Sequence, residues 1–173
     1  EINGQGPDIK KDELQQMFDK LDKLQSGDCL ILAGTIPASL PSDIYEQIME
    51  KLMNRNIDIV VDATKDLLMN VLAYHPFVIK PNNHELSEIF DIMIDSKEKA
   101  VVYAKELQKK GAQNVIVSMA GEGAVFVGSD GSVFTSVSYN QDTGIVTFTV
   151  KINTNANGGY HQHSASAKGY LFY

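Results

Sequence analysis

The sequence predicts an α/β fold in which a parallel sheet is flanked by helices and followed by a β-rich C-terminal segment. Three observations predict it. Short continuous apolar runs recur at residues 29–34 (CLILAG), 57–62 (IDIVVD), 77–80 (FVIK) and 114–118 (NVIVS), the pattern of strands covered on both faces. Stretches of helical periodicity separate them, and such strand–helix–strand units imply right-handed crossovers that wrap a parallel sheet on both faces. From Val137 onward the helical periodicity disappears, Asp142 is the one acidic residue, and Thr, Ser, Asn, Gly and Tyr become abundant.

Each element follows from local chemistry. In residues 11–24, Leu14, Met17, Leu21 and Leu24 share a helical face, acidic residues lie early, and Gly27 follows the end. Pro41 and Ser42 open a second helix, whose Ile44, Ile48 and Leu52 form an apolar stripe before Arg55. A third helical segment spans Leu67 to Ala73, and Glu85 to Phe90 begins a fourth. Ser96 starts a longer helix that turns Ala100, Ala104 and Leu107 inward and stops at Gly111, after Lys109 and Lys110. AVFVG and SVFTS, joined through SDGS at 129–132, read as an antiparallel hairpin. In the tail, GIVTFTVKI alternates as a strand, NTNANGG is a turn and YHQHSAS is a further strand. The chain accordingly divides into a core, residues 1–136, and a divergent β-rich tail, residues 137–173.

Composition narrows the function. The chain has 173 residues, 43% of them hydrophobic and 21% charged, with a formal net charge of −7. An acidic surface argues against a nucleic-acid partner, because phosphate backbones need clustered Lys and Arg. It does not argue against ATP, since helix N-termini, backbone amides and a metal ion supply local positive potential. No apolar stretch reaches the roughly 18–20 residues a membrane span needs. The single cysteine, Cys29, lies in an apolar run and reads as a small core residue. These features point to a cytoplasmic protein with no membrane partner.

Ligands of parallel α/β sheets bind at the carboxyl ends of the strands. That rule selects AGTIP after the first strand, DATKD after the second, KPNNHE after the third and SMAGEG after the fourth. Gly34 in AGTIP places a bend at a strand end, and Asp62 is a strand-end carboxylate that either meets a ligand or caps the next helix. Asn82 and Glu85, three residues apart at a strand-to-helix transition, can converge on a hard cation or form a helix cap; the two roles are compatible. Ser118, Ala120, Gly121, Glu122 and Gly123 form a loop of small residues that lets the backbone approach a ligand closely, or simply turns the chain. His75 and His84 lack partners at metal-ligand spacing and read as structural. His161 and His163 share one face of a strand without a third ligand nearby.

EINGQGP (1–7), LAGTIPASLP (32–41), VVDATKDLL (60–68), YHPFVIKPNNHEL (74–86) and VSMAGEGAVF (117–126) occur in that order. Together they resemble the PfkB family of ribokinase-like carbohydrate kinases, closest to 1-phosphofructokinase and tagatose-6-phosphate kinase, over about residues 1–136. The resemblance implies a partial ribokinase-like core and ATP-dependent phosphorylation of a sugar phosphate: fructose 1-phosphate to fructose 1,6-bisphosphate. It implies ATP contacts at Lys80, Asn82, Ser118, Ala120, Gly121, Glu122 and Gly123. It further implies Mg²⁺ at Asn82 and Glu85, and sugar phosphate near Gly34 and Asp62. EINGQGP resembles the return from the family's sugar-covering lid.

The family pattern breaks in two places. Ala120 stands where S-x-G-x-x-G would carry its first glycine. More seriously, residues 128–173 contain nothing similar to N-S-V-G-A-G-D-S, whose Asp is the family's catalytic base, so no catalytic residue is assigned. Asp142 and Gly144 precede a strand rather than the helix that element requires. The alternative expectation is therefore a non-catalytic scaffold, a fragment or chimera of a kinase that self-associates through its β tail.

Overall fold

A computed structural model describes the backbone of residues 6–140, 145–152 and 161–167, and the side chains of residues 6–135. Among the described residues five α-helices and eight strands follow one another as α1 (Lys11–Leu21), β1 (Cys29–Ala33), α2 (Ile44–Leu52), β2 (Asp58–Asp62), α3 (Lys65–Val71), β3 (Val78–Ile79), α4 (Asn83–Phe90), α5 (Lys97–Lys109), β4 (Asn114–Ser118), β5 (Ala124–Val127), β6 (Val133–Asn140), β7 (Ile145–Ile152) and β8 (His161–Ala167). The helix and strand boundaries expected from periodicity hold to within a few residues.

The strands form one mixed sheet in sequential order from β1 to β8. β1 to β4 run parallel, with Leu32 beside Val61, Val61 beside Ile79 and Ile79 beside Val115. β4 onward is antiparallel. The expected hairpin is β5–β6, turned through Gly131 at φ 82 and closed by Gly128 N–H donating to the Ser132 carbonyl at 2.9 Å. The compositional change at Val137 falls inside β6, which pairs with β7 on both sides of it, with a register shift between Phe134 and Ser136. Residues 1–5, Asp142 and the side chains of His161 and His163 lie outside the described residues.

Sequential order has a consequence the sequence pattern missed. Right-handed crossovers that always step the same way along a sheet deposit every helix on the same face; only a reversal of strand order would cover the other. Consecutive helices α2, α3, α4 and α5 touch one another. Arg55, just past α2, donates to the carbonyls of Leu21, Asp22 and Leu24 at 3.3, 3.0 and 2.6 Å, which ties α1 to the same layer. The core is what this layer buries. Leu32, Ile59, Val61, Ile79, Val115, Val117, Val125 and Val127 point into it from the sheet. Leu68, Leu86, Ala100, Ala104 and Leu107 meet them from the helices. The alternate residues Ile31, Val60, Val78, Ile116 and Phe126 face away, Ile31 with 66% of its surface exposed. The expectation that crossovers wrap both faces is therefore corrected for the described residues. Cys29 is corrected with it, because it lies on this second face and is exposed rather than in the core.

Candidate functional site

The carboxyl ends of β1 to β4 lie side by side, and the sequence-selected residues collect there. Strand alternation puts Asp62 on the same side as Val60, and Ser118 on the same side as Ile116. Lys80 and Asn82 continue the line of β3 beyond its last paired residue: Lys80 N–H donates to the Val61 carbonyl, and Asn82 bridges to Ser118 in parallel register. Four polar side chains thus share one rim, on the side of the sheet that the helices leave open.

Lys80 and Asp62 form an ion pair, with Nζ 3.0 Å from the carboxylate and both side chains about two-fifths exposed. A pair this accessible contributes little to stability, typically about 0–1 kcal/mol. Its chemical content is a held ammonium that can turn toward a phosphate. Gly34 adjoins it, with φ 94 and its N–H donating to the Asp62 carbonyl at 3.1 Å. Tyr45, buried on α2, donates its hydroxyl to the Gly34 carbonyl at 3.3 Å. Burial, and then the negative charge of Asp62, hold the Tyr45 phenol above its usual range, so it stays a neutral donor. Sequence reasoning missed Tyr45. It sits beside Ile44 on an amphipathic helix and carries no local signal, its role being set only when α2 packs under the β1 loop.

Asn82 and Glu85 form a reciprocal capping box at the start of α4. Glu85 N–H donates to Asn82 Oδ1 and Asn82 N–H donates to Glu85 Oε2, each at 2.8 Å. The cap fixes both side chains half-buried at the end of β3 and leaves Glu85 Oε1 outside the reciprocal pair. Among the described residues no group of three His, Cys, Asp or Glu side chains could enclose a cation. Mg²⁺ characteristically keeps several waters and takes one or two carboxylates together with substrate phosphates. A carboxylate and an amide oxygen at one helix start could contribute to such a shell but do not enclose an ion by themselves.

The 118–123 loop leaves β4 as a single tight turn spanning Ala120 to Glu122. Met119 N–H donates to the Gly123 carbonyl at 2.7 Å, and Gly123 takes φ 88, a conformation open to glycine. Ala120 adopts φ 48, the left-handed region that costs a residue with a Cβ roughly 1 kcal/mol or more. A glycine at this position would relieve that cost, the physical reason a small-residue loop prefers one there. A Cβ built on Gly121 meets nothing within 4 Å, so internal packing does not require its smallness. Glu122 is exposed and reaches none of the other site residues through any described hydrogen bond or ion pair. His75, in the left-handed region at φ 54, sets its Nδ1 3.1 Å from the Gly111 carbonyl, the structural role expected of it.

Known proteins resemble this chain in sequence and in fold. The model of the pfkB family carbohydrate kinases matches residues 1–142. A Bacillus subtilis 1-phosphofructokinase is 44% identical over 137 residues, covering 79% of this chain and 45% of the relative. A Borreliella burgdorferi 1-phosphofructokinase is 34% identical, covering 78% of this chain and 43% of the relative. Among solved structures, a Staphylococcus aureus protein described as a phosphofructokinase superposes with a TM-score of 0.71 at 36% identity, over 81% of this chain and 46% of that one. The Escherichia coli phosphofructokinase-2 in complex with substrates and products gives 0.68 at 26% identity, over 73% of this chain and 42% of that one. The chain thus spans about half the length of the curated relatives it matches. Among the described residues no helix is long and apolar enough to cross a membrane.

Proposed function

Because the chain belongs to the PfkB family of carbohydrate kinases, we propose that it supplies the nucleotide-phosphate half of ATP-dependent phosphorylation of a sugar phosphate, fructose 1-phosphate to fructose 1,6-bisphosphate. The observation that carries this reading is the gathering of Asp62, Lys80, Asn82 and Ser118 on one rim at the strand carboxyl ends, with Glu85 held beside Asn82 by the cap. Phosphoryl transfer asks a protein mainly for positioning and charge neutralisation. Lys80 Nζ, 3.0 Å from the Asp62 carboxylate, is the cation that swings to the phosphates. Asn82 and Glu85 would hold Mg²⁺, and the ion would supply neutralisation of phosphate charge. The 118–123 loop, with Ser118, Ala120, Gly121, Glu122 and Gly123, lies along the nucleotide, and Gly34 with Asp62 faces the sugar phosphate. In the reaction the bond between the γ-phosphorus and ADP breaks, a new bond forms to the sugar hydroxyl oxygen, and that hydroxyl loses its proton. The chain's own sequence assigns no base for that proton. The reaction places the protein in the cytoplasm, where ATP and sugar phosphates are found.

A coupled ADP-release assay with Mg²⁺, ATP and fructose 1-phosphate tests the reading. Sugar-dependent ADP formation that disappears in Glu85→Ala is the expected result. ADP formation indifferent to the sugar or to that substitution contradicts it.

One observation favours a second reading. Residues 128–173 contain nothing similar to N-S-V-G-A-G-D-S, and β6, β7 and β8 extend the sheet. On that reading residues 137–173 form a β appendage through which a non-catalytic kinase derivative self-associates. Removing residues 137–173 then changes the mass measured by light scattering; an unchanged mass for a folded, shortened chain contradicts it.

A further inference from the structure

At the amino ends of β2 and β3, on the helix-covered side of the sheet, lies a cleft of about 480 Å³ that the proposed chemistry does not use. Asp58 begins β2 beside this cleft and Asp62 ends it at the rim, so the strand separates the two places by roughly 13 Å. The floor of the cleft is core, made by the buried Met49 and Leu52 of α2 and Ile59 of β2. Its walls are Met53, Tyr74 and Phe77. Met53 is 55% exposed and Phe77 36%, two large apolar side chains left open to solvent. The volume falls within the roughly 300–1,000 Å³ of small-molecule sites, which are apolar clefts with a few placed polar groups.

Those polar groups stand on fixed backbone. Asn54 and Asn56 follow α2 at φ 68 and 54, and His75 precedes β3 at φ 54; residues held in the left-handed region gather at ligand sites. His75 Nδ1 is 3.1 Å from the Gly111 carbonyl, which can only accept, so in the neutral ring Nδ1 carries the hydrogen and Nε2 is left as an acceptor. Gln113 braces the same wall, its amide donating to the His75 carbonyl at 3.0 Å. Charge then decides the class of ligand. Among the described residues no Lys or Arg lines the cleft, so nothing there neutralises a phosphate or a carboxylate. Its one acidic residue is Asp58, and strand alternation sends that side chain to the opposite face with Asp62. A cation therefore finds no counter-charge. Tyr74 and Phe77 offer rings for stacking, and the thioethers of Met49 and Met53 adapt to a flat ring system.

We propose that this cleft binds an uncharged, planar heteroaromatic molecule, its rings against Met53, Tyr74 and Phe77 and its polar edge toward Asn54 and His75. The site is separate from the rim and does not depend on phosphoryl transfer. Quinazolin-4-one, a neutral bicycle with a carbonyl and an N–H on one edge, is the probe. It is titrated into the full chain with the methyl groups of its six methionines labelled for nuclear magnetic resonance. The Met49 and Met53 signals are expected to shift and saturate, while Met93 and Met119 stay in place. Quinoline-4-carboxylate, a ring system of the same size with a negative charge, binds weaker by about tenfold or more. Met53→Glu, at an exposed position, abolishes the shifts and leaves the thermal melt unchanged, whereas Met93→Glu and Lys80→Met retain them. No shift at Met49 and Met53 overturns the proposal. So do equal binding of the two probes, shifts spread over all six methionines, shifts that survive Met53→Glu, and shifts lost in Lys80→Met. Shifts of Met49 and Met53 on concentrating the chain alone also overturn it, by assigning the cleft to a second copy.

Discussion

Asn82 and Glu85 serve the helix before they serve any ligand, and that double duty makes their roles separable. Each accepts one hydrogen bond from the other's backbone at 2.8 Å. Glutamine keeps the acceptor a capping box needs but removes the charge that a metal's water shell feels. Glu85→Gln is therefore expected to change unfolding free energy by less than about 0.5 kcal/mol, while Asn82→Ala costs about 1 kcal/mol through the lost cap, both read by urea denaturation. Ala120 offers a test of the loop. Its left-handed backbone is expected to make Ala120→Gly stabilising, by about 1 kcal/mol in the same measurement. The sequence made the position legible as a departure from a glycine, and the backbone angle supplies the reason.

At the scale of elements, the join between α1 and α2 depends on Arg55. Its guanidinium satisfies three carbonyls at the end of α1, with Nη2 2.6 Å from the Leu24 carbonyl, and also approaches Asp22 at 3.9 Å. Bonds from a charged donor contribute about 1.5–3 kcal/mol each when well protected, less when partly exposed as here. Arg55→Met, which preserves most of the stem, is expected to lower the denaturation free energy by about 2 kcal/mol. A change within error would show that the join does not depend on Arg55, the Lys51–Asp22 ion pair at 2.7 Å also spanning it. Sequence patterning located both helices but could not see this join, because the partners are carbonyls more than thirty residues away. Local signals decided the elements well: Ser96 caps α5 through its hydroxyl to Lys99 N–H at 3.3 Å, and NVIVS is β4 residue for residue. They decided nothing about Tyr45 or the Lys80–Asp62 pair, which exist only because parallel strands bring their ends together.

For the whole molecule, strand order was the decisive unknown. Apolar runs at 29–34, 57–62, 77–80 and 114–118 announce a sheet able to be covered twice, but the direction in which successive crossovers step is not written in any local pattern. The order β1-β2-β3-β4 puts all the helices on one face and turns the remaining apolar residues outward. Such a molecule presents one finished core and a half-built site at its rim. The account's central claim is that Lys80, Asn82, Glu85 and Ser118 at this rim hold the phosphates of Mg²⁺-ATP. Calorimetric titration of the full chain with Mg²⁺-ATP, beside AMP, which lacks the outer phosphates, tests it most directly. The account predicts binding of Mg²⁺-ATP but not of AMP, weakened about tenfold, or 1.4 kcal/mol, in Glu85→Gln and again in Lys80→Met, with the fold unchanged by circular dichroism. No heat of binding, or binding that ignores both substitutions, would contradict it.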